Sequence, residues 1–294
     1  MGSKWSEVQI LSPRPMPQSA CRRPGPSHPF PTAARGLFPV ILISNDDGYR
    51  ARGIQSLSQR LREVDDVLVV APEADRSGSS NALTILRPLR ARNVGEAVYA
   101  IDGTPSDCVH VALGGVFGST PDVVVSGINH GSNMGDDVIY SGTVAAAVEA
   151  RHLDRPSMAV SLLGRNGEHF DTAARVAAHL TRQLLCAHPL PAQLILNVNV
   201  PDVPWEQLQG VQVTRLGNRH ASERVVVDTD PRGETIYWIG SAGAEADSGP
   251  GTDFHAVRNG FVSVTPLGLD MTHYPSMEEI EGWLQSAPMM PAGE

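Results

Sequence analysis

The chain is short of lysine and of long apolar runs, and each shortage closes off a class of function. Lys4 is the only lysine among 294 residues, so every other cationic side chain is an arginine. A Walker A loop carries a lysine behind its glycines, and Schiff-base chemistry needs a lysine amine, so neither is open to the folded part of the chain. No run of 18 or more apolar residues occurs, which leaves nothing to cross a membrane as a helix. The first residues also lack the compact apolar stretch of a secretory signal. Cys21, Cys108 and Cys186 are widely spaced and form no C-x-x-C pair. That usage fits a reducing compartment, with Cys108 and Cys186 as small buried hydrophobes, and a cytoplasmic location is expected. A formal net charge of −9 argues against a nucleic-acid polymer as partner, because phosphate backbones call for a basic surface.

What is present is an alternating pattern of apolar runs and amphipathic stretches. Residues 1–37 are rich in proline and are expected to form a disordered extension; the prolines would break the amphipathic helix of an organelle-targeting segment. Order begins with the apolar run 38–44, typical of a strand buried on both faces of a parallel sheet. Ile54, Leu57, Leu61 and Val64 then mark one face of a helix, and 67–70 a second strand, which together make a right-handed β-α-β unit. Further strands are expected at 98–101, 122–126, 157–162 and 194–200. Helices are expected from an N-cap at Ser106 to Val116, from about Thr143 to His152, and near 170–186. The sum is a doubly wound α/β core over 38–201. Beyond Pro201 the pattern changes to short strands at 211–216, 224–228, 234–239 and 261–265, a short helix at 253–258 and a terminal helix at 276–284. Residues 202–294 therefore read as a β-rich, antiparallel C-terminal extension whose terminal helix packs on the core.

In such sheets ligands sit at the carboxyl ends of the parallel strands, where three polar loops of this chain should meet. The first holds Asp46 and Asp47. Two carboxylates about 4 Å apart repel by roughly 1 kcal/mol in water, more when buried, and a divalent cation between them reverses the sign. The turn has one glycine and two acids, which excludes the G-x-G-x-x-G of a dinucleotide site. Adjacent acids are also not the D-x-D of an aspartyl-phosphate enzyme, and no G-x-S-x-G elbow exists. The second loop, 73–81, offers the hydroxyls of Ser77, Ser79 and Ser80, which in isolation read as turn solvation. The third, 127–143, offers the carbonyl oxygen of Asn129 to a metal and the amide of Asn133 to a phosphate. Ser141, Gly142 and Thr143 then open a helix whose first amides form an anion site. Asp136 and Asp137 read as loop solvation, and His130 as either a proton donor or an incidental loop residue. An oxygen-rich donor set favours Mg²⁺ or Mn²⁺.

The segments ILISNDDGYRARGI, VVAPEADRSGSSNALT, GTPSDCVHVAL, VVVSGINHGSNMGDDVIYSGTVAAAVEARHL and GPGTDFHAV together resemble the SurE (survival protein E) family of 5′/3′-nucleotidases, in order and spacing, from about 40 to 285. The resemblance implies a Rossmann-like core, one divalent cation per subunit, and hydrolysis of nucleoside 5′- and 3′-monophosphates, with polyphosphate as a further substrate. It implies a homodimer or homotetramer built through the C-terminal extension. Carried over by type, the metal ligands fall on Asp46, Asp47, Ser77 and Asn129, with the two aspartates catalytic, and the phosphate contacts on Asn133, Ser141, Gly142 and Thr143. His130 stands where many relatives have a small residue. The competing class is a nucleotide- or phosphate-binding stress protein without turnover.

Overall fold

The computed structural model describes residues 40–286, apart from 154–155, 165, 187–189, 192, 221, 223 and 241, so the expected extension at 1–37 lies outside the described residues. The elements follow in order as β1 (Val40–Ser44), α1 (Arg52–Leu61), β2 (Asp66–Pro72), β3 (Ala91–Gly95), β4 (Val98–Ile101) and α2 (Pro105–Leu113). Next come β5 (Val123–His130), a 3₁₀ turn (Gly135–Tyr140), α3 (Gly142–Glu149), β6 (Ser157–Leu162), α4 (Phe170–Leu185) and β7 (Ile195–Val200). The chain continues through β8 (Val211–Val213), β9 (Asn218–Arg219), β10 (Val226–Thr229), β11 (Thr235–Trp238), β12 (Glu245–Asp247), α5 (Asp253–Arg258), β13 (Val262–Leu267) and α6 (Met277–Ser286).

One sheet of nine strands, in the order β3-β4-β2-β1-β5-β6-β7-β13-β8, carries the fold. The run from β4 to β7 is parallel throughout. Alternate residues of β1 serve opposite faces. Ile41 and Ile43 pack with Ile54, Leu57 and Leu61 of α1 and with Phe170, Ala173 and Ala177 of α4. Leu42 packs on the other side with Cys108, Val109 and Ala112 of α2 and Ala146 of α3. That double cover is why the strand sequence is an unbroken apolar run. β1 is flanked by β2 on one side and β5 on the other, so the strand order reverses there and a crevice opens beyond the carboxyl ends of β1 and β5.

Several expectations are corrected. α2 is capped by Thr104, not Ser106: its hydroxyl accepts from the Asp107 N–H at 3.1 Å while the Asp107 carboxylate accepts from the Thr104 N–H at 2.8 Å. The helix ends at Leu113 because Gly114 and Gly115 follow. β5 does not stop at Ser126 but runs on to His130 through a register shift between Gly127 and Asn129, which puts Asn129 at a strand end. The exposed edge strand β3 was not expected, since it shows no apolar alternation. Cys186, expected as a buried hydrophobe, is only partly buried at the end of α4. No helix among the described residues is long and apolar enough to cross a membrane.

The C-terminal segment is also less separate than expected. β13 pairs antiparallel with β7, and β8 pairs parallel with β13, so both complete the main sheet. β7 is buried at every residue and would otherwise present a bare edge. Among the described strands, the two-stranded pairs β10–β11 and β9–β12 stand apart from this sheet. The terminal helix α6 has no buried residue in this chain; Met277, Ile280, Trp283 and Leu284 are exposed rather than packed on the core.

Asp253 fastens this segment to the core. Its carboxylate, fully buried, accepts from the N–H groups of Gly135 at 2.8 Å and of Gly217 and Phe254 at 2.9 Å. Asp253→Ala would strand buried donors on two separate segments, each worth about 1–3 kcal/mol. Urea unfolding of that variant is expected to show a loss of about 3 kcal/mol or more; a loss under 1 kcal/mol would mean that the segment is held by something else.

Candidate active site

At the carboxyl end of β1 the chain turns through Asn45, whose side-chain amide donates to the Gly48 carbonyl at 3.0 Å. The turn points the two following acids into the crevice. Asp46 is 4% exposed, and its carboxylate accepts from the Thr143 hydroxyl at 2.5 Å. Burial pushes its carboxyl up from 3.8 to about 6; the Thr143 bond pulls the other way, and the neighbouring Asp47 charge adds to the rise. Asp47 is raised as well, again chiefly by burial and opposed by His130, whose backbone N–H reaches its Oδ2 at 3.3 Å.

The start of α3 closes against this pair. Ser141 caps the helix, accepting from the Val144 N–H at 3.1 Å, and Ser141, Gly142 and Thr143 are all buried. A Cβ on Gly142 would lie 2.8 Å from the Asp46 Cβ, 2.9 Å from its Oδ2 and 2.9 Å from the Ser79 hydroxyl. Glycine is therefore demanded by close approach, and the positive end of the α3 dipole faces the acids. The structure thus brings Asp46, Gly142, Thr143 and Ser79 into direct contact.

The second loop is tied to the first by the Arg76 N–H, which donates to the Asp46 carbonyl at 2.8 Å. Its far side is tied to the third, with the Ser80 hydroxyl donating to the Ile139 carbonyl at 2.8 Å. Ser77 is exposed; its hydroxyl and N–H donate to Asp75 at 2.6 and 2.8 Å and hold that carboxyl below its ordinary range. Asp75 was not among the expected site residues, yet its charge reaches Asp47, so it is a third acid at the rim. Nothing in the loop's spacing distinguishes it from Glu73.

Asn129, at the end of β5, donates its amide nitrogen to the Gly131 carbonyl at 2.8 Å, so the oxygen of the same amide is the atom left to serve a cation. Asn133 is a different matter. It is buried, its N–H donates to Asn199 Oδ1 at 2.9 Å, its carbonyl accepts from Asn197 and Asn199 at 2.9 Å each, and its side-chain nitrogen donates to the Ser161 hydroxyl at 2.9 Å. One of its two amide protons is committed to the protein, and the residue anchors the third loop to β6 and β7. Asn197 and Asn199, spaced by two on a buried strand, were the overlooked signal of this anchor. Asp136 and Asp137 do not solvate the loop. They accept from Arg219, through its N–H at 2.8 Å and its Nε at 2.9 Å.

The donor set suits a hard cation. Among the described residues no three His, Cys, Asp or Glu side chains gather as a metal cluster, and the site offers two carboxylates, an amide oxygen and hydroxyls. The buried Ser79 hydroxyl beside Asp46 has no hydrogen-bond partner, as expected of an oxygen reserved for a ligand.

Comparisons with known proteins point to one family. A family model described as Survival protein SurE matches residues 41–223. The 5′-nucleotidase SurE of Alkalilimnicola ehrlichii is 57% identical over 244 residues, which is 83% of this chain and 95% of that protein. The 5′-nucleotidase SurE of Halorhodospira halophila is 56% identical over 245 residues, 83% of this chain and 97% of that one. The crystal structure of the Sure protein from Aquifex aeolicus superposes with a TM-score of 0.73 at 42% identity, covering 83% of this chain and 99% of that chain.

The raised Asp46 carboxyl has a measurable consequence. A folded value of about 6 above an ordinary 3.8 means that the folded, metal-free chain binds this proton more tightly than the unfolded one. Its stability is therefore greatest below the ordinary 3.8 and declines as pH rises through 6, by about 3 kcal/mol in all from this group, of which about 1.4 kcal/mol falls between pH 5 and 7.5. Thermal melts in chelator at pH 5 and 7.5 are expected to show that decline, to lose most of it in Asp46→Asn, and to recover at pH 7.5 on adding Mg²⁺ or Mn²⁺. A melt that ignores pH would refute the buried, ionisable Asp46 carboxyl.

Proposed function

The chain belongs to the survival protein SurE family, and from that premise we propose that it is a divalent-cation-dependent nucleotidase, releasing phosphate from nucleoside 5′- and 3′-monophosphates. The observation that carries the reading is the buried Asp46, pressed against the first turn of α3 and followed by the half-buried Asp47. In an acidic protein, an anionic monoester approaches such a pair only if positive charge stands between them.

Asp46, Asp47 and Asn129 would hold the cation, with Ser77 or the unpartnered Ser79 hydroxyl supplying a further oxygen. Bound there, Mg²⁺ or Mn²⁺ supplies the charge that offsets both the carboxylates and the phosphoryl oxygens. The protein's own groups do the rest. Asp46, fixed by Thr143, is the base that orients the attacking water and accepts its proton. The Ser141 hydroxyl and the Gly142 N–H at the start of α3 receive the phosphoryl oxygens, since positioning and charge dominate phosphoryl transfer. Asn133 shapes this loop and offers at most its second amide proton to the phosphate.

We also infer a homodimer or homotetramer. Val225, Val227, Tyr237, Trp238 and Ile239 around β10–β11, and Met277, Ile280 and Trp283 on α6, leave more apolar surface exposed than a monomer ordinarily tolerates. Sedimentation velocity is expected to give twice or four times the chain mass; a strict monomer at micromolar concentration would contradict this.

Phosphate release from AMP and GMP tests the main reading. Activity is expected to vanish in EDTA and return with Mn²⁺ or Mg²⁺, and Asp46→Asn to lower kcat at least a hundredfold with the fold retained. Ligand binding without turnover in the metal-loaded protein would instead favour a nucleotide-binding protein. Polyphosphate, assayed alongside, ranks it as a substrate.

A further inference from the structure

The mouth of the crevice carries a group of side chains that the phosphate chemistry does not use. His130 is exposed and immediately follows Asn129, with its backbone fixed to Asp47. Its ring lies 4.8 Å from that of Phe170, tilted by 56°. Phe170 is 3% exposed at the first turn of α4, so it is a fixed backing for the imidazole rather than a second mobile ring. Arg52 places its guanidinium 5.2 Å from the centre of the same phenyl ring and donates to the Glu168 carbonyl at 3.1 Å. The 168–170 segment is in turn held by Asp202, which accepts from the N–H groups of Glu168 at 3.0 Å and His169 at 2.8 Å.

We infer that His130, backed by Phe170 and flanked by Arg52, is the platform on which the nucleobase of the substrate stacks, and is a specificity-determining residue for nucleotides over other phosphomonoesters. This inference rests on the nucleotidase reading above. Its geometry follows from placement: the phosphate belongs at Asp46 and Asp47, a base lies one ribose away, and His130 leaves the strand one residue beyond Asn129. Imidazole and guanidinium planes are surfaces on which any base can stack. An exposed ring already held in a tilted contact with a buried one loses little freedom when a base covers its open face.

The test compares wild type, His130→Ala and His130→Phe on AMP and on ribose 5-phosphate, which has the same leaving alcohol without a base, with calorimetric binding of adenosine beside it. His130→Ala is expected to raise KM for AMP about tenfold with kcat changed less than twofold, and to weaken adenosine binding similarly. Ribose 5-phosphate should shift by less than twofold, and His130→Phe should restore AMP. Equal losses on both substrates, or an unchanged KM for AMP and unchanged adenosine affinity, would overturn the platform. Adenosine binding needs no turnover, so wild type that binds adenosine through His130 but releases no phosphate would sink the nucleotidase reading and leave this one standing.

Discussion

Placing an ionisable carboxyl where water cannot reach it is costly, and the Asp46 side chain sits in such a place. Three segments far apart in sequence must converge to make the place at all: the turn after β1, the 73–81 loop and the beginning of α3. Each contributes a contact that the others require. Arg76 ties its loop to the Asp46 carbonyl, Thr143 binds the carboxylate, and Gly142 has no side chain because Asp46 and Ser79 already occupy the space. The partial positive charge of the helix start and the Thr143 bond do not fully offset the burial, so the carboxyl remains well above its ordinary value. An incompletely satisfied acid beside an unpartnered hydroxyl is a site built around something it does not itself contain. Functional sites commonly carry such local destabilisation.

How legible this was in the sequence depended on the kind of force involved. Strands β1, β6 and β7 could be read closely because burial on both faces writes itself as a largely apolar run, unbroken in β1 and interrupted by serines in β6 and asparagines in β7. The pair Asp46–Asp47 and the helix opening at Ser141 were legible because strand, polar turn and helix come in sequence. Pairings over long separations were not. That β13 would lie beside β7, or that Arg219 would take Asp136 and Asp137, depends on contacts more than 60 residues apart that leave no local period. Asp75 was lost among equivalent acids of its loop. Asn133 was misjudged in emphasis, since its partners on β7 are two asparagines that alone look like solvent-facing strand residues.

The sheet order explains why these loops meet where they do. Because β1 is followed by β2 on one side and neighboured by β5 on the other, the crossover helices pass to opposite faces and leave the strand ends uncovered between them. The net charge of −9 is then no obstacle to an anionic substrate. What matters is the local sign, which the proposed cation, together with the α3 amides and Arg52, would make favourable at the crevice while the remaining surface stays acidic.

That same topology divides the site by face. Asp46, Gly142 and Thr143 belong to the α2–α3 side of the sheet, where small buried residues allow the helix start to press on the acids. His130, Phe170 and Arg52 belong to the α1–α4 side, where a buried aromatic ring supports an exposed one. A substrate with a charged end and a flat apolar end would lie across the sheet edge with each end on the face built for it. The two halves can therefore vary independently. Changes on the α1–α4 face alter what leaves, while the α3 face, where a single methyl group at Gly142 would collide with Asp46, has no such latitude.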